Sequence, residues 1–165
     1  ALGQEVARIG RGFGVKLLYH KRRRLDPAEE RRFEVRWATL DELMAQSDVV
    51  SVQVNLDEGT RGLIGQRELA LMKPSAVICN IGRGPVIDEA ALAECLLQGR
   101  IAGAGLDVFE EEPLPAESPL LRAGNVVLTP HVAGSTQEAV ARAIKQACDN
   151  VLRVASGEPP LNVVT

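Results

Sequence analysis

Three residues in this sequence have types suited to work on a carbonyl carbon. They are an arginine between two glycines (Gly82-Arg83-Gly84), a glutamate that closes an acidic run before a proline (Glu112-Pro113), and a histidine that follows a proline (Pro130-His131). One cation, one carboxylate and one imidazole can together reduce a keto acid. The planar fork of Arg83 would hold a substrate carboxylate and polarise the neighbouring carbonyl. His131 would give a proton to the carbonyl oxygen as hydride reaches the carbon. Glu112 would accept from the other ring nitrogen and fix the tautomer. Each residue also has a plainer reading. Arg83 could cap a strand, Glu110-Glu111-Glu112 could be a solvated loop, and His131 could cap the helix after it.

The surrounding pattern decides which elements carry these residues. Arg83 follows an apolar run over 76–79 that reads as a buried strand, and Pro85-Val86-Ile87-Asp88 leads from it into a helix. Gly82 and Gly84 are expected to let the backbone approach a ligand or take a positive φ. Leu2, Val6, Ile9 and Phe13 mark a helical stripe that Gly14 ends. A short strand over 15–19 precedes an exposed charged segment over 26–36. Thr39 and Glu42 form a capping box for a helix over 40–46, and a strand follows over 49–54. A short helix over 65–72 stops at Pro74. Asp88 caps a helix that turns Leu92, Leu96 and Leu97 inward and ends at Gly99. The strand over 101–108 is rich in glycine and alanine, which implies close approach of a helix or a ligand. After an acidic, proline-rich loop, a last strand covers 126–128. Ser135 and Glu138 form a second capping box, opening the longest helix, which Gly157 and Pro159-Pro160 end.

Strands that are apolar runs, alternating with helices over short connections, give an α/β fold: a doubly wound parallel sheet with helices on both faces. Ligands of such sheets bind beyond the carboxyl ends of the strands. His20, Lys21, Asn55, Arg83, Asp107 and His131 all fall at such ends.

With 165 residues, a net charge of −3 and few aromatics, the chain must build its core from Val, Leu, Ile and Ala. Nothing in the charge balance points to nucleic acid. Cys79, Cys95 and Cys148 have neither metal spacing nor a disulfide framework, and they are expected to be buried thiols in a reducing compartment, the cytoplasm, with no metal site. No apolar run is long enough to cross a membrane.

Ala1-Leu2-Gly3, ahead of Gln4-Glu5-Val6-Ala7, resembles the tail of the glycine-rich dinucleotide fingerprint, with Gly3 as its third glycine. The acid that should bind the ribose would fall near Tyr19 and His20. No acid stands there, and Lys21-Arg22-Arg23-Arg24 follows. Basic residues at this place favour a 2′-phosphate, so NADP(H) is expected over NAD(H), with Arg22 and Arg23 as main contacts and Lys21 in support. The plainer reading is a solvated basic turn paired with Asp26, Glu29 and Glu30.

Four ordered blocks carry a wider likeness. They are Gly59-Thr60-Arg61-Gly62-Leu63-Ile64-Gly65, Asn80-Ile81-Gly82-Arg83-Gly84, Gly105-Leu106-Asp107-Val108-Phe109 with Glu112-Pro113, and Thr129-Pro130-His131-Val132-Ala133-Gly134. In these the sequence resembles the D-isomer-specific 2-hydroxyacid dehydrogenases, a family that includes glyoxylate/hydroxypyruvate reductases, D-lactate dehydrogenases and phosphoglycerate dehydrogenases. The resemblance implies that Arg83, Glu112 and His131 are catalytic and that Asp107 contacts the nicotinamide carboxamide. It places Ala1 and Leu2 at the pyrophosphate, and Ile81 and Gly134 along the cofactor. Thr60, Asn80 and Gly82, with Arg83 and His131, complete the cofactor-binding positions in these blocks. The short interval between Glu112 and His131, and the basic run, look most like the glyoxylate/hydroxypyruvate reductase branch, acting on a small 2-keto acid to give the D-2-hydroxy acid.

The sequence departs from the family at Asn55-Leu56-Asp57-Glu58-Gly59, where Pro-Leu-Thr-Pro-Glu is usual, and at Gln53, where histidine is common. In the family, a substrate domain is made from both chain ends around an inserted nucleotide domain. Here residues 1–157 would be the nucleotide domain without its first strand, and 158–165 the start of the return to a substrate domain. That first strand sits at the centre of the order 3-2-1-4-5-6, so an isolated fragment is expected to be inactive. The family is commonly dimeric through this domain, and a homodimer is expected. Two other readings stand beside the enzyme: a nucleotide-sensing, partner-binding module of the same fold, and a different doubly wound enzyme in which Arg83, Glu112 and His131 do not converge.

Overall fold

The computed structural model describes residues 2–163; Ala1, placed above at the pyrophosphate, lies outside them. The chain divides into a first unit that ends at Pro130 and a second that begins at His131. The first unit alternates helices and strands: α1 (Leu2–Gly12), β1 (Leu17–Tyr19), α2 (Pro27–Phe33), β2 (Val35–Trp37), α3 (Leu40–Gln46), β3 (Val49–Val52), α4 (Gln66–Ala70), β4 (Val77–Asn80), α5 (Glu89–Leu97), β5 (Gly103–Leu106) and β6 (Val126–Leu128).

Every strand pair is parallel. β1 pairs with β2, and β3-β4-β5-β6 form a four-stranded sheet. β1 and β3 are not paired with each other. The break falls where the order 3-2-1-4-5-6 places its first strand. The four-stranded register aligns Val52, Asn80, Leu106 and Leu128 on one rung. The residues that follow this rung therefore leave the sheet along a single edge.

Local chemistry explains most boundaries. The Thr39 side chain accepts from the Glu42 N–H, and Glu42 reaches back to the Thr39 N–H, closing the expected capping box. Asp88 caps α5 by accepting from the Ala91 N–H at 2.9 Å, and Gly99 leaves that helix with φ +63°. The exposed charged segment over 26–36 is ordered, with no buried residue, as a helix and a strand. Asp26 accepts from the Glu29 N–H at 2.8 Å, Pro27 fits the first helical turn, and Glu34 closes α2 in the left-handed region. Val35 and Trp37 then form β2.

The main core lies on one side of the four-stranded sheet. Met44 of α3, Leu69 of α4, and Leu92, Cys95 and Leu96 of α5 share one buried cluster with Val50, Val52, Ile78 and Leu106. Leu97, expected to point inward, is exposed, because the buried face of α5 runs through Leu92, Ala93, Cys95 and Leu96. β3 is covered on this side only; Val49 and Ser51 on its other face are exposed. α1 meets β1 through small residues. A Cβ on Gly10 would lie 3.0 Å from the Leu17 side chain, and Ala7 is buried, whereas the stripe Leu2, Val6, Ile9 and Phe13 is exposed.

The second unit is built on α6 (Gln137–Ala155). Its cap is Thr136, which accepts from the Ala139 N–H at 3.1 Å, one residue later than the Ser135 box expected. Beyond the helix the chain folds back: the Asn150 amide exchanges two hydrogen bonds with the Leu161 backbone, and the Arg153 Nε–H donates to the Pro159 carbonyl. Among the described residues no helix is long and apolar enough to cross a membrane.

Candidate functional site

Arg83 stands just beyond the β4 end of the shared rung. Its guanidinium is exposed and donates to the Gly82 carbonyl at 2.7 Å, with no carboxylate partner among the described residues. The loop beneath it is held from three sides. Asn80 is buried, donating its amide N–H to the Arg83 carbonyl at 2.9 Å and accepting from the Gly82 N–H at 3.0 Å. Its side chain thus shapes the loop from within. On one flank, Gly62 N–H donates to the Pro85 carbonyl, Ile64 N–H to the Val86 carbonyl and Asp88 N–H to the Ile64 carbonyl. Residues 62–64, at the end of a turn over 58–62, therefore clip along the Arg83 turn, with Ile64 bridged in parallel to Ile87.

The other flank is the acidic loop. A Cβ on Gly84 would lie 1.9 Å from both the carbonyl carbon and the oxygen of Phe109, and 2.6 Å from the Glu110 nitrogen. Neither Gly82 nor Gly84 has a positive φ. Gly84 is required because the polypeptide after β5 fills the space of its side chain, and that polypeptide, not a ligand, is what comes close. Glu89 and Glu110 reinforce the contact by reciprocal bonds, each carboxylate accepting from the other's backbone N–H. Glu112 accepts from the Phe109 N–H at 3.1 Å, so this carboxylate is tied to the segment that Gly84 touches. Gly103 of β5 has a similar cause: a Cβ there would lie 2.7 Å from the Asn125 carbonyl oxygen, whereas one on Gly105 would meet only the Cys79 sulfur at 3.5 Å.

Asp107 follows the β5 end and is buried. Thr129, after β6, donates its hydroxyl to the Asp107 carboxylate at 2.5 Å. His131 opens the second unit three residues after β6, with φ +55°, and Gly134 follows in the same unit.

Around β1 the basic run separates into distinct roles. Arg24 is committed to structure: it binds Glu30 through two bonds at 2.7 and 2.9 Å and lies over the Trp37 ring. Glu30 also accepts from the Tyr19 hydroxyl at 2.6 Å. Arg24 and then Tyr19 hold the Glu30 carboxyl down to about 2. The pairing with Glu30 expected of a plain basic turn is thus confined to Arg24. Arg22 binds Asp57 at 2.6 Å. Lys21 and Arg23 are exposed, with no ion pair among the described residues. The His20 Nδ1 lies 3.0 Å from the Ala38 carbonyl, so this ring is anchored to the backbone after β2. At the β3 end Asn55 is exposed, while Thr60 is buried, donating to the Asn55 carbonyl at 2.6 Å and accepting from the Asp57 N–H at 2.8 Å. Gly3, in the first turn of α1, faces the Gln53 side chain; a Cβ there would lie 3.1 Å from the Gln53 amide oxygen. Among the described residues no cluster of His, Cys, Asp and Glu is placed to hold a metal ion.

The family model described as "D-isomer specific 2-hydroxyacid dehydrogenase, NAD binding domain" matches residues 1–133. The chain belongs to this dehydrogenase family. It is 48% identical over 153 residues to a glyoxylate/hydroxypyruvate reductase B of Pectobacterium carotovorum, covering 93% of this chain and 48% of the relative. It is 42% identical over 163 residues to a glyoxylate reductase of Aeropyrum pernix, covering 99% of this chain and 48% of the relative. Among solved structures, a D-lactate dehydrogenase with NAD+ from Lactobacillus jensenii superimposes with a TM-score of 0.90 at 31% identity, covering 99% of this chain and 52% of that one. The chain spans about half the length of the curated relatives it matches.

In this dehydrogenase domain, three contributors were not singled out from sequence. Asp57 was noted only as a departure from the family pattern, Thr129 only as part of a block, and the contact of Gly84 with the Phe109–Glu110 backbone was not foreseen. All three arise from contacts between segments that are distant in sequence.

Proposed function

We propose that this chain is the cofactor-binding part of an NAD(P)-dependent reductase that converts glyoxylate, hydroxypyruvate or a similar small 2-keto acid to the D-2-hydroxy acid. The observation that carries the proposal is Arg83: an exposed, unpaired guanidinium on a loop clamped by 62–64 and by 109–110. A cation without an internal carboxylate partner, on backbone braced from both flanks, is preorganised for an anionic substrate. The names of the relatives point to the same substrates.

The edge fits a phosphorylated dinucleotide. Lys21 and Arg23 are unpaired cations beyond β1, Asn55 offers an exposed amide, Asp107 is a buried carboxylate held by Thr129, and Gly3 stands in the first turn of α1 against Gln53. Residues 21–23 favour NADP(H), with NAD(H) as the second option. When bound, the nicotinamide supplies hydride to the substrate carbon. Arg83 holds the substrate carboxylate and draws electron density from the carbonyl, and His131 delivers the proton that completes the hydroxyl group. Glu112 fixes the His131 tautomer. Of the thiols expected to be buried only Cys95 is, since Cys79 is half-buried in β4 and Cys148 lies exposed on α6; free thiols still fit a reducing, cytoplasmic setting, and the family habit points to a homodimer through this domain.

The test is kcat/KM of the full-length protein for glyoxylate and hydroxypyruvate, with NADPH and with NADH. Turnover of either acid with a preference for NADPH is the expected result. A clear preference for NADH overturns the cofactor assignment, and cofactor binding without turnover of either acid overturns the enzyme.

A further inference from the structure

One of the cations proposed for the 2′-phosphate is already held by a carboxylate. Arg22, after β1, donates to the Asp57 Oδ2 at 2.6 Å. The two residues come from the two separate strand groups, and Asp57 lies in the loop where the sequence departs from its family. We infer that Asp57 is a specificity-determining residue whose carboxylate competes with a cofactor 2′-phosphate for Arg22 and so narrows the preference for phosphorylated dinucleotide. This rests on the reading of the β1 turn as the 2′-phosphate end of the cofactor site.

The loop is built to hold Asp57 still. The Gly59 N–H donates to Asp57 Oδ1 at 2.9 Å, and the Asp57 N–H donates to the Thr60 hydroxyl, which itself donates to the Asn55 carbonyl. One carboxylate oxygen is pinned by its own loop and the other faces Arg22. Burial would push this carboxyl up, but Arg22, the Gly59 N–H and Thr60 together keep it below the ordinary value. Arg22, by contrast, has a side chain 77% exposed, so it is the partner that can move. A phosphate that engages Arg22 must draw it off Asp57 or share it beside a fixed negative charge, with Lys21 and Arg23 left as the unpaired cations of the turn. Both oppose binding. The turn cannot compensate with Arg24, whose fork is occupied by Glu30. An unphosphorylated ribose meets neither cost.

The experiment is calorimetric titration of the full-length protein with 2′,5′-ADP and with 5′-AMP, comparing wild type, Asp57→Asn, Asp57→Thr and Arg22→Ala. Asparagine keeps an acceptor for the Gly59 N–H and removes the charge. Threonine, the usual family residue here, is a second route should asparagine disturb the loop. Removing the competitor should tighten 2′,5′-ADP by about two- to five-fold, the size of an exposed ion pair, and leave 5′-AMP unchanged. Arg22→Ala should weaken 2′,5′-ADP alone. If Arg22→Ala is selective but both Asp57 variants leave 2′,5′-ADP unchanged or weaker, Asp57 is not a competitor and the inference is overturned while the cofactor reading stands. If Arg22→Ala does not distinguish the two ligands, Arg22 is not a 2′-phosphate contact and the inference is overturned, whether or not Lys21 and Arg23 hold the phosphate.

Discussion

Gly84→Ala puts the geometry of the Arg83 loop under direct strain. The added carbon would lie 1.9 Å from the Phe109 carbonyl carbon and oxygen, whereas non-bonded carbons rest at about 3.5 Å. The two segments must part by about 1.6 Å, and both are backbone, so no rotamer change relieves the contact. Overpacking of this kind costs about 1–3 kcal/mol. The upper end applies here, because 62–64 hold the Arg83 turn from behind through three hydrogen bonds. The functional loss is the larger effect. The displacement separates the segment carrying Arg83 from the one carrying Glu112, and misplacing catalytic groups by about 1 Å costs about 100-fold in rate. The assay is kcat/KM for hydroxypyruvate with thermal unfolding measured in parallel, and Gly124→Ala as control, since a Cβ on Gly124 meets nothing within 4 Å. Gly84→Ala should lower Tm by several degrees and kcat/KM by about 100-fold, and the control neither. A Gly84→Ala protein with wild-type Tm and wild-type kcat/KM refutes the reasoning.

Thr129→Val removes the hydroxyl that donates to the buried Asp107 carboxylate at 2.5 Å. A bond to a charged group is worth about 1.5–3 kcal/mol, so Tm should fall and the nicotinamide cofactor should bind more weakly; an unchanged cofactor Kd would separate Asp107 from the cofactor. Glu30→Gln breaks the Tyr19–Glu30–Arg24 cluster. The folded carboxyl sits near 2, below its ordinary 4.5, so its contribution is present in full above pH 4.5 and fades as pH falls toward 2. Wild type should exceed the variant in Tm at neutral pH, with the two curves converging in acid; parallel curves from neutral pH to pH 2 would contradict this.

What the sequence disclosed was mostly local or periodic. Thr39 with Glu42, Asp88 and Gly99 each mark a helix end through bonds within a few residues, and each stands where the pattern placed it. α2 was hidden because Glu29, Glu30, Arg31 and Arg32 look like a solvated run; Asp26-Pro27 was the overlooked start signal. Ser135 and Thr136 are both competent caps, and Glu138 drew the reading one residue early. Of the candidate site, the position of Arg83 on a turn after β4 was legible from the apolar strand before it and its flanking glycines. The reason for Gly84 was not, because its constraint comes from Phe109, on the segment that follows the neighbouring strand. The partner of Arg22 was hidden for the same reason: Arg22 and Asp57 are brought together by the packing of two strand ends, which no spacing in the chain records.

The most direct test of the central claim is hydroxypyruvate-dependent oxidation of NADPH by the full-length protein, its Arg83→Ala variant and its His131→Gln variant, with NADPH binding followed by fluorescence. The account predicts turnover in the wild type. Losing the proton donor His131 should lower kcat by about 10²–10⁴-fold, and losing Arg83 should remove most of kcat/KM while NADPH still binds. Turnover that survives in both variants, or a wild type that binds NADPH and never oxidises it, would contradict the account.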